Sequence, residues 1–340
     1  MTLRPSPSEP APLSTRAAHA LLQLTVLLWG LTALLGKSIS VGARVLVFYR
    51  VLVVAVIMAV LMKRQNLAFS VPRRAFAELV GAGTCVALHW ITFYATIKLA
   101  GIVVAVTCLS ATTFFTALLE PWVFARRVRV HEMLLGGGTI VGVAVLLRVE
   151  AERPSAGIAL GLVSAFFSAA FGTWNGRIGK TQRGEKVTFY ELSTALVVTG
   201  LTFLVKGGFV PPWQLKPLDI ALLLVLAVFC TTLPWLWSLR VLRTLSPFTV
   251  SLSVSLEPVY SLVLAYLLFP TEERTGPRFY VGASLLGGLV LLHAWMKRRE
   301  PTPRGIEPTH EGAVLDTASR PEARLAERAG DLENANETRA

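Results

Sequence analysis

Glu257 stands inside a long apolar run, and Thr249, Ser253 and Ser261 share its four-residue spacing, with Tyr260 alongside. On a helix that spacing gathers side chains on one face, so the run carries a polar stripe fit to line an aqueous cavity. An ionised carboxylate at a membrane centre costs about 2.5–3.5 kcal/mol on insertion scales. A group held there at that cost has a use: binding a cationic part of a ligand, or carrying a proton. The plainer alternative is a protonated Glu257 that bonds around the backbone carbonyl freed by Pro258.

Other candidates have the same two-sided character. His89 has Thr92 and Thr96 continuing its face, and imidazole changes charge near neutral pH; a neutral histidine bonded to a backbone carbonyl fits equally. Arg50 lies six residues beyond Arg44, about 9 Å of helical rise, and either snorkels to the surface or anchors an anion in a cavity. Glu120 has Thr112 and Thr116 at spacings of four. Because it sits near a helix end, pairing with surface Arg or Lys is its plainer role. Glu191 and Lys98 read as interfacial. Trp90 and Trp235 either meet a substrate ring or cation or pack as core aromatics. The candidate pathway set is Glu257, His89, Arg50, Trp90, Trp235, Ser253, Tyr260 and Glu120.

No catalytic or metal set accompanies them. No two His, Asp or Glu residues show the spacing that acid–base or metal chemistry requires, and Cys85, Cys108 and Cys230 lie singly in apolar stretches. Gly136-Gly137-Gly138 lacks the lysine of a phosphate loop. A membrane-embedded transferase and a nucleotide-driven pump are therefore disfavoured, and no cofactor is expected.

The elements that must position these residues are membrane helices. The 340 residues are 53% apolar and 16% charged, with a mean hydropathy of +0.58, a balance that a soluble core does not use. The net charge of +12 sits in short clusters between apolar runs, which speaks against nucleic acid and for topology signals. At about 20 apolar residues per crossing, the chain divides into ten spans near 20–36, 44–62, 77–97, 101–125, 131–148, 156–178, 187–205, 218–239, 246–269 and 279–296. The predicted class is an all-α integral membrane protein of the cell (inner) membrane. Lys63, Arg64, Arg73, Arg74, Arg126, Arg127, Arg129, Arg240 and Arg243 collect in alternate loops, which places both termini in the cytoplasm. Residues 1–19 form a cytoplasmic N-terminal segment, and the first apolar run stays attached as a helix. Residues 297–340 read as a disordered cytoplasmic tail.

A shift of 145 residues lays Cys85 on Cys230, Trp90 on Trp235, Ser110 on Ser255, Trp29 on Trp174 and Gly142 on Gly287. Rare residues matching in one register mark an internal repeat, of five helices at 20–148 and five at 156–296. Five is odd, so the second copy enters the membrane inverted, an arrangement suited to a central site exposed alternately to either face. Gly157 with Gly161, and Ser164 with Ser168 and Gly172, read as packing devices.

Leu28-Trp29-Gly30 with Gly36-Lys37, Phe48-Tyr49-Arg50, His89-Trp90 with Ile97-Lys98, Glu120-Pro121, Leu245-Ser246-Pro247, Leu256-Glu257-Pro258-Val259-Tyr260 and Tyr280-Val281-Gly282-Ala283 together resemble the EamA branch of the drug/metabolite transporter superfamily over residues 20 to 296. The resemblance implies a secondary transporter, an exporter or exchanger of small metabolites such as amino acids or drugs, with a small-molecule substrate and the bilayer as partners. It leaves a homodimer open, and a flippase for a lipid-linked intermediate is the alternative. The two Glu-Pro pairs lie 137 residues apart, so they are not equivalent positions in the repeat.

Overall fold

The computed structural model describes residues 13–125, 127, 129–147 and 155–268, with isolated helical positions between 281 and 296. Among the described residues no strand occurs. The helices are α1 (Thr15–Ser38), α2 (Ala43–Arg64), α3 (Arg73–Ala100), α4 (Ile102–Leu109), α5 (Thr112–Val123), α6 (Val130–Leu147), α7 (Ser155–Ile178), α8 (Gly184–Lys206), α9 (Pro217–Ala227), α10 (Leu233–Val241), α11 (Pro247–Val254) and α12 (Glu257–Leu268). Among the described residues seven stretches are long and apolar enough to cross a membrane: α1, α2, α3, α4 with α5, α7, α8, and α9 through α10. The expected tenth span at 279–296, the tail at 297–340 and most of residues 1–19 lie outside the continuously described residues.

Two expected spans are each broken rather than continuous. The run 101–125 divides at Ser110 and Ala111, and the run 246–269 divides at Ser255 and Leu256. Local chemistry sets several other boundaries. Gly101, at φ 92°, ends α3 and starts α4 in a conformation that disfavours a side chain. Ser246 caps α11, its Oγ accepting from the Thr249 N–H at 3.3 Å, and Pro247 occupies the first helical position, where no N–H is needed.

Pro234 has the most consequential effect. It cannot donate to the carbonyl four residues back, and the helix accommodates it with a π-turn over Val228–Thr232. There the Thr231 and Thr232 hydroxyls donate to Leu226 O at 2.6 Å and Ala227 O at 2.9 Å.

Side chains of small volume let the helices approach. A Cβ added at Gly157 would lie 2.5 Å from Ala100 Cβ, and one at Gly161 would lie 2.7 Å from Cys108 Cβ, which is how α7 seats against α3 and α4. Gly172 differs from the packing role expected of it: nothing lies within 4 Å of its Cβ position, because that face of α7 meets the cavity described below. Outward faces carry exposed Val56, Val60, Leu134, Val197 and Leu204, as lipid contact requires.

Long-range bonds join the ends of the bundle. At the end holding the α2–α3 and α7–α8 links, Arg177 pairs with Glu78 at 2.7 Å, Arg183 Nη2 donates to Gln65 at 3.3 Å and Arg243 Nε donates to Gly179 O at 3.0 Å. At the opposite end, Ser40 donates from its N–H and its hydroxyl to Asp219 at 2.7 and 2.5 Å, Arg44 donates to Thr202 O and Gly207 O at 3.0 Å each, and Tyr49 OH donates to Val210 O at 2.6 Å. Lys98 Nζ donates to Ile39 O at that same end, an interfacial position in keeping with the sequence reading.

Candidate functional site

Arg50 defines the centre of the bundle. It is 1% exposed and does not snorkel, since it finds partners inside. Its Nε donates to Thr231 Oγ1 at 2.6 Å, its Nη1 to Tyr94 OH at 2.7 Å and its Nη2 to Cys230 O at 3.4 Å. Cys230 O is the carbonyl that Pro234 leaves without its usual donor. The guanidinium also lies 3.9 Å from the centroid of the Trp90 ring, a cation–π contact of about 2 kcal/mol when desolvated. Two of its five N–H donors remain for a ligand.

A cavity with about 830 Å³ of space empty of protein atoms, open solvent included, lies beside this group. Arg50, His89, Trp90, Trp235 and Glu257 all line it, together with Trp29, Thr32, Thr112, Thr116, Phe171, Gly172, Asn175, Ser251 and others. Glu257 is 3% exposed and makes no hydrogen bond or ion pair among the described residues. Arg50 acts on it through space without touching it. The cavity thus presents one fixed cation and one unshared carboxyl group, with aromatic walls. Trp90 and Trp235 meet edge to face at 5.3 Å, and Trp235 stacks on Phe171 at 5.3 Å and 22°.

His89 is held at the same wall. Its Nδ1 lies 3.0 Å from Ser164 O, and Ser164 Oγ donates back to His89 O at 3.0 Å. Ser164 Oγ also lies 2.8 Å from Nδ1, so the ring is held by the backbone and side chain of one residue of α7, the backbone-bonded arrangement that was one of its two readings.

Three candidates fall elsewhere. Ser253 Oγ donates to Thr249 O at 3.1 Å, and Tyr260 OH donates to Gln23 Oε1 at 2.9 Å; neither lines the cavity. The stripe of Thr249, Ser253, Glu257 and Ser261 is split by the break at Ser255–Leu256, so α11 turns Val250, Ser251 and Val254 inward instead. Glu120 is 4% exposed and accepts from Phe248 N at 3.0 Å. It does not sit at the surface as its plainer reading had it, because a carboxylate answers the free N–H groups at the start of α11. Its stripe partners Thr112 and Thr116 do line the cavity.

Glu191 is a larger correction. It is fully buried, not interfacial: Asn175 Nδ2 donates to its Oε2 at 3.2 Å. Seven residues into α8 it is about 10 Å from that helix start, and the close approach of α3 at Gly83 covers it. Tyr94, Thr231, Pro234 and Asn175 were not singled out as site residues. The proline inside an apolar run was the available signal, since it implies an unsatisfied carbonyl.

Fold and site together define a helical, multi-pass membrane protein with a largely apolar central cavity that holds a buried arginine and a buried glutamate. Residues 155–303 match the model of the EamA-like transporter family, part of the drug/metabolite transporter superfamily, and the resemblance read from the motifs holds there. Members of that family are transporters and not enzymes. No curated protein matches this chain. A solved structure titled only "Crystal structure of protein" superposes with a TM-score of 0.68 at 15% identity, covering 85% of this chain and 100% of the other. At that identity the likeness speaks for the fold alone.

Proposed function

We propose that this protein is a secondary transporter of small polar metabolites across the cell membrane, an exporter or exchanger working by alternating access. The observation that carries this reading is the cavity with Arg50 contributed by the first half of the chain and Glu257 by the second. A solute bearing both an anionic and a cationic group satisfies both at once and draws the halves together.

Two inverted five-helix repeats, 20–148 and 156–296, within a ten-helix frame are part of the proposal. Their support is a set of contacts between residues 145 apart. Ser110 Oγ donates to Ser255 O at 3.5 Å and Ser255 Oγ to Ser110 O at 3.4 Å, a reciprocity that a two-fold axis produces. Both helix breaks fall at these serines, and Trp90 meets Trp235 across the same axis.

With both termini in the cytoplasm, the α10–α11 link faces the cytoplasm, and the cavity runs toward that link at Leu242 and Pro247. The far end is tied by Ser40, Asp219 and Arg44. That arrangement suits loading from inside and supports export.

The test is uptake and counterflow of a labelled panel of amino acids and metabolites in proteoliposomes, wild type against Glu257→Gln. Saturable flux in the wild type, lost in the variant, is expected. Absence of flux for every solute overturns the reading and turns attention to a lipid-linked cargo; full flux in Glu257→Gln removes Glu257 from the pathway.

A further inference from the structure

Behind the cavity wall lies a second carboxyl group that solute binding leaves unused. Glu191 does not line the cavity, but Asn175 and Trp235, its neighbours, do. The Asn175 amide bonds one carboxyl oxygen. Three buried polar atoms of the same cluster are left without partners: Glu191 Oε1, Asn175 Oδ1 and Trp235 Nε1. Trp235 is near enough to Glu191 to act on its carboxyl group, but no hydrogen bond joins the two. Three buried polar groups without protein partners at one point are costly, and they mark a place whose occupancy changes.

We propose that Glu191, with Asn175 and Trp235, is a proton-carrying site that couples transport to a pH gradient, separate from the solute-binding pair Arg50 and Glu257. The inference rests on the transport reading above. Its chemistry follows from the donor set. As the acid, Glu191 keeps its O–H and accepts from Asn175 at the other oxygen. On release the wall formed by Asn175 and Trp235 rearranges to admit a water from the cavity, the O–H bond breaks and the proton passes to that water. The carboxylate left behind retains the Asn175 N–H and gains the Trp235 N–H, both donors fit for an anion. Reprotonation from water on the other side restores the start.

Among the described residues no ion pair or cation hydrogen bond reaches Glu191. Of the helices packed against α8, α3 presents Cys85, which is near enough to interact, α10 presents Trp235, and the cation of α2, Arg50, acts on Glu257 rather than on Glu191. Asn175 of α7 is neutral. Ionisation therefore requires water or a rearranged wall, and the wall is the link to the solute. Trp235 meets Trp90 at 5.3 Å, and Trp90 carries the Arg50 guanidinium at 3.9 Å. A shift of Trp235 toward an ionised Glu191 disturbs the ring on which the anion site is stacked.

The experiment uses the full chain in proteoliposomes with a solute transported in the panel above, comparing wild type, Glu191→Gln and Glu191→Asp. Wild type is expected to accumulate solute under an imposed pH gradient and to perform counterflow without one. Glu191→Gln should lose accumulation while counterflow, the control for a folded carrier, persists. Glu191→Asp should retain accumulation with an altered pH profile. An infrared band of a protonated carboxyl group should be present in the wild type and absent from Glu191→Gln. Accumulation that survives in Glu191→Gln overturns the proposal, as does a wild type whose solute exchange ignores the pH gradient; both leave transport standing. A wild type without any flux overturns the transport reading and this inference with it.

Discussion

At the scale of residues, Arg50 shows how a buried charge is held. Removing a guanidinium from water costs several kcal/mol unless partners replace the lost hydration, and here a threonine hydroxyl, a tyrosine hydroxyl, a backbone carbonyl and an indole face do so. The planar fork reaches these in several directions at once, which an ammonium cannot do. Arg50→Lys should leave the protein folded and membrane-inserted but weaken solute binding by roughly 10- to 100-fold, about 1.5–3 kcal/mol for the lost charged hydrogen bonds. Calorimetric titration of the purified protein measures this, and unchanged affinity would show that the cation alone suffices. Arg50 and Glu257 were legible as intramembrane charges, since the cost of their type at that depth singles them out. Tyr94 and Thr231 were not, because ordinary polar residues of membrane helices acquire meaning only from what lies opposite them.

At the scale of elements, the irregular segments build the site. Pro234 opens the π-turn that frees Cys230 O for Arg50, and the paired breaks at Ser110 and Ser255 turn α5 and α11 so that threonines of one and valines of the other face the cavity. Periodicity alone reads through such breaks, which is why Ser253 and Tyr260 were placed on the cavity stripe with Glu257. The straight parts of the helices depend instead on close approach. At Gly83 an added Cβ would run into the Glu191 carbonyl and lie 2.7 Å from Thr194 Cβ, whereas at Gly172 it meets nothing within 4 Å. Gly83→Ala should therefore destabilise by about 1–3 kcal/mol through overpacking, lowering Tm in detergent. Gly172→Ala should leave Tm in place, and equal Tm values for the two would refute the packing argument.

At the scale of the whole molecule, polar ties close the end away from the basic loops. The Ser40 amide and hydroxyl both reach Asp219, from positions 179 residues apart in the chain. Hydrogen bonds to a charged acceptor are worth about 1.5–3 kcal/mol each, so this tie helps hold that end together. Asp219→Asn should speed hydrogen exchange of the Ser40 amide by about tenfold or more, as the local opening free energy falls. Unchanged exchange would mean that Arg44 and Tyr49 hold the end without it.

The sequence by itself determined that the chain is a bundle of membrane helices, because long apolar runs in lipid have to satisfy their backbone internally. It also carried the EamA resemblance and the expectation of a 145-residue repeat, since rare Trp and Cys residues recur at that spacing. Only the tertiary structure decided which polar groups share a cavity, that Glu120 answers the start of α11, and that Glu191 is buried against Asn175. Those outcomes depend on helix breaks and on approach at individual glycines, where a rotation of one residue sends a side chain to a different neighbour.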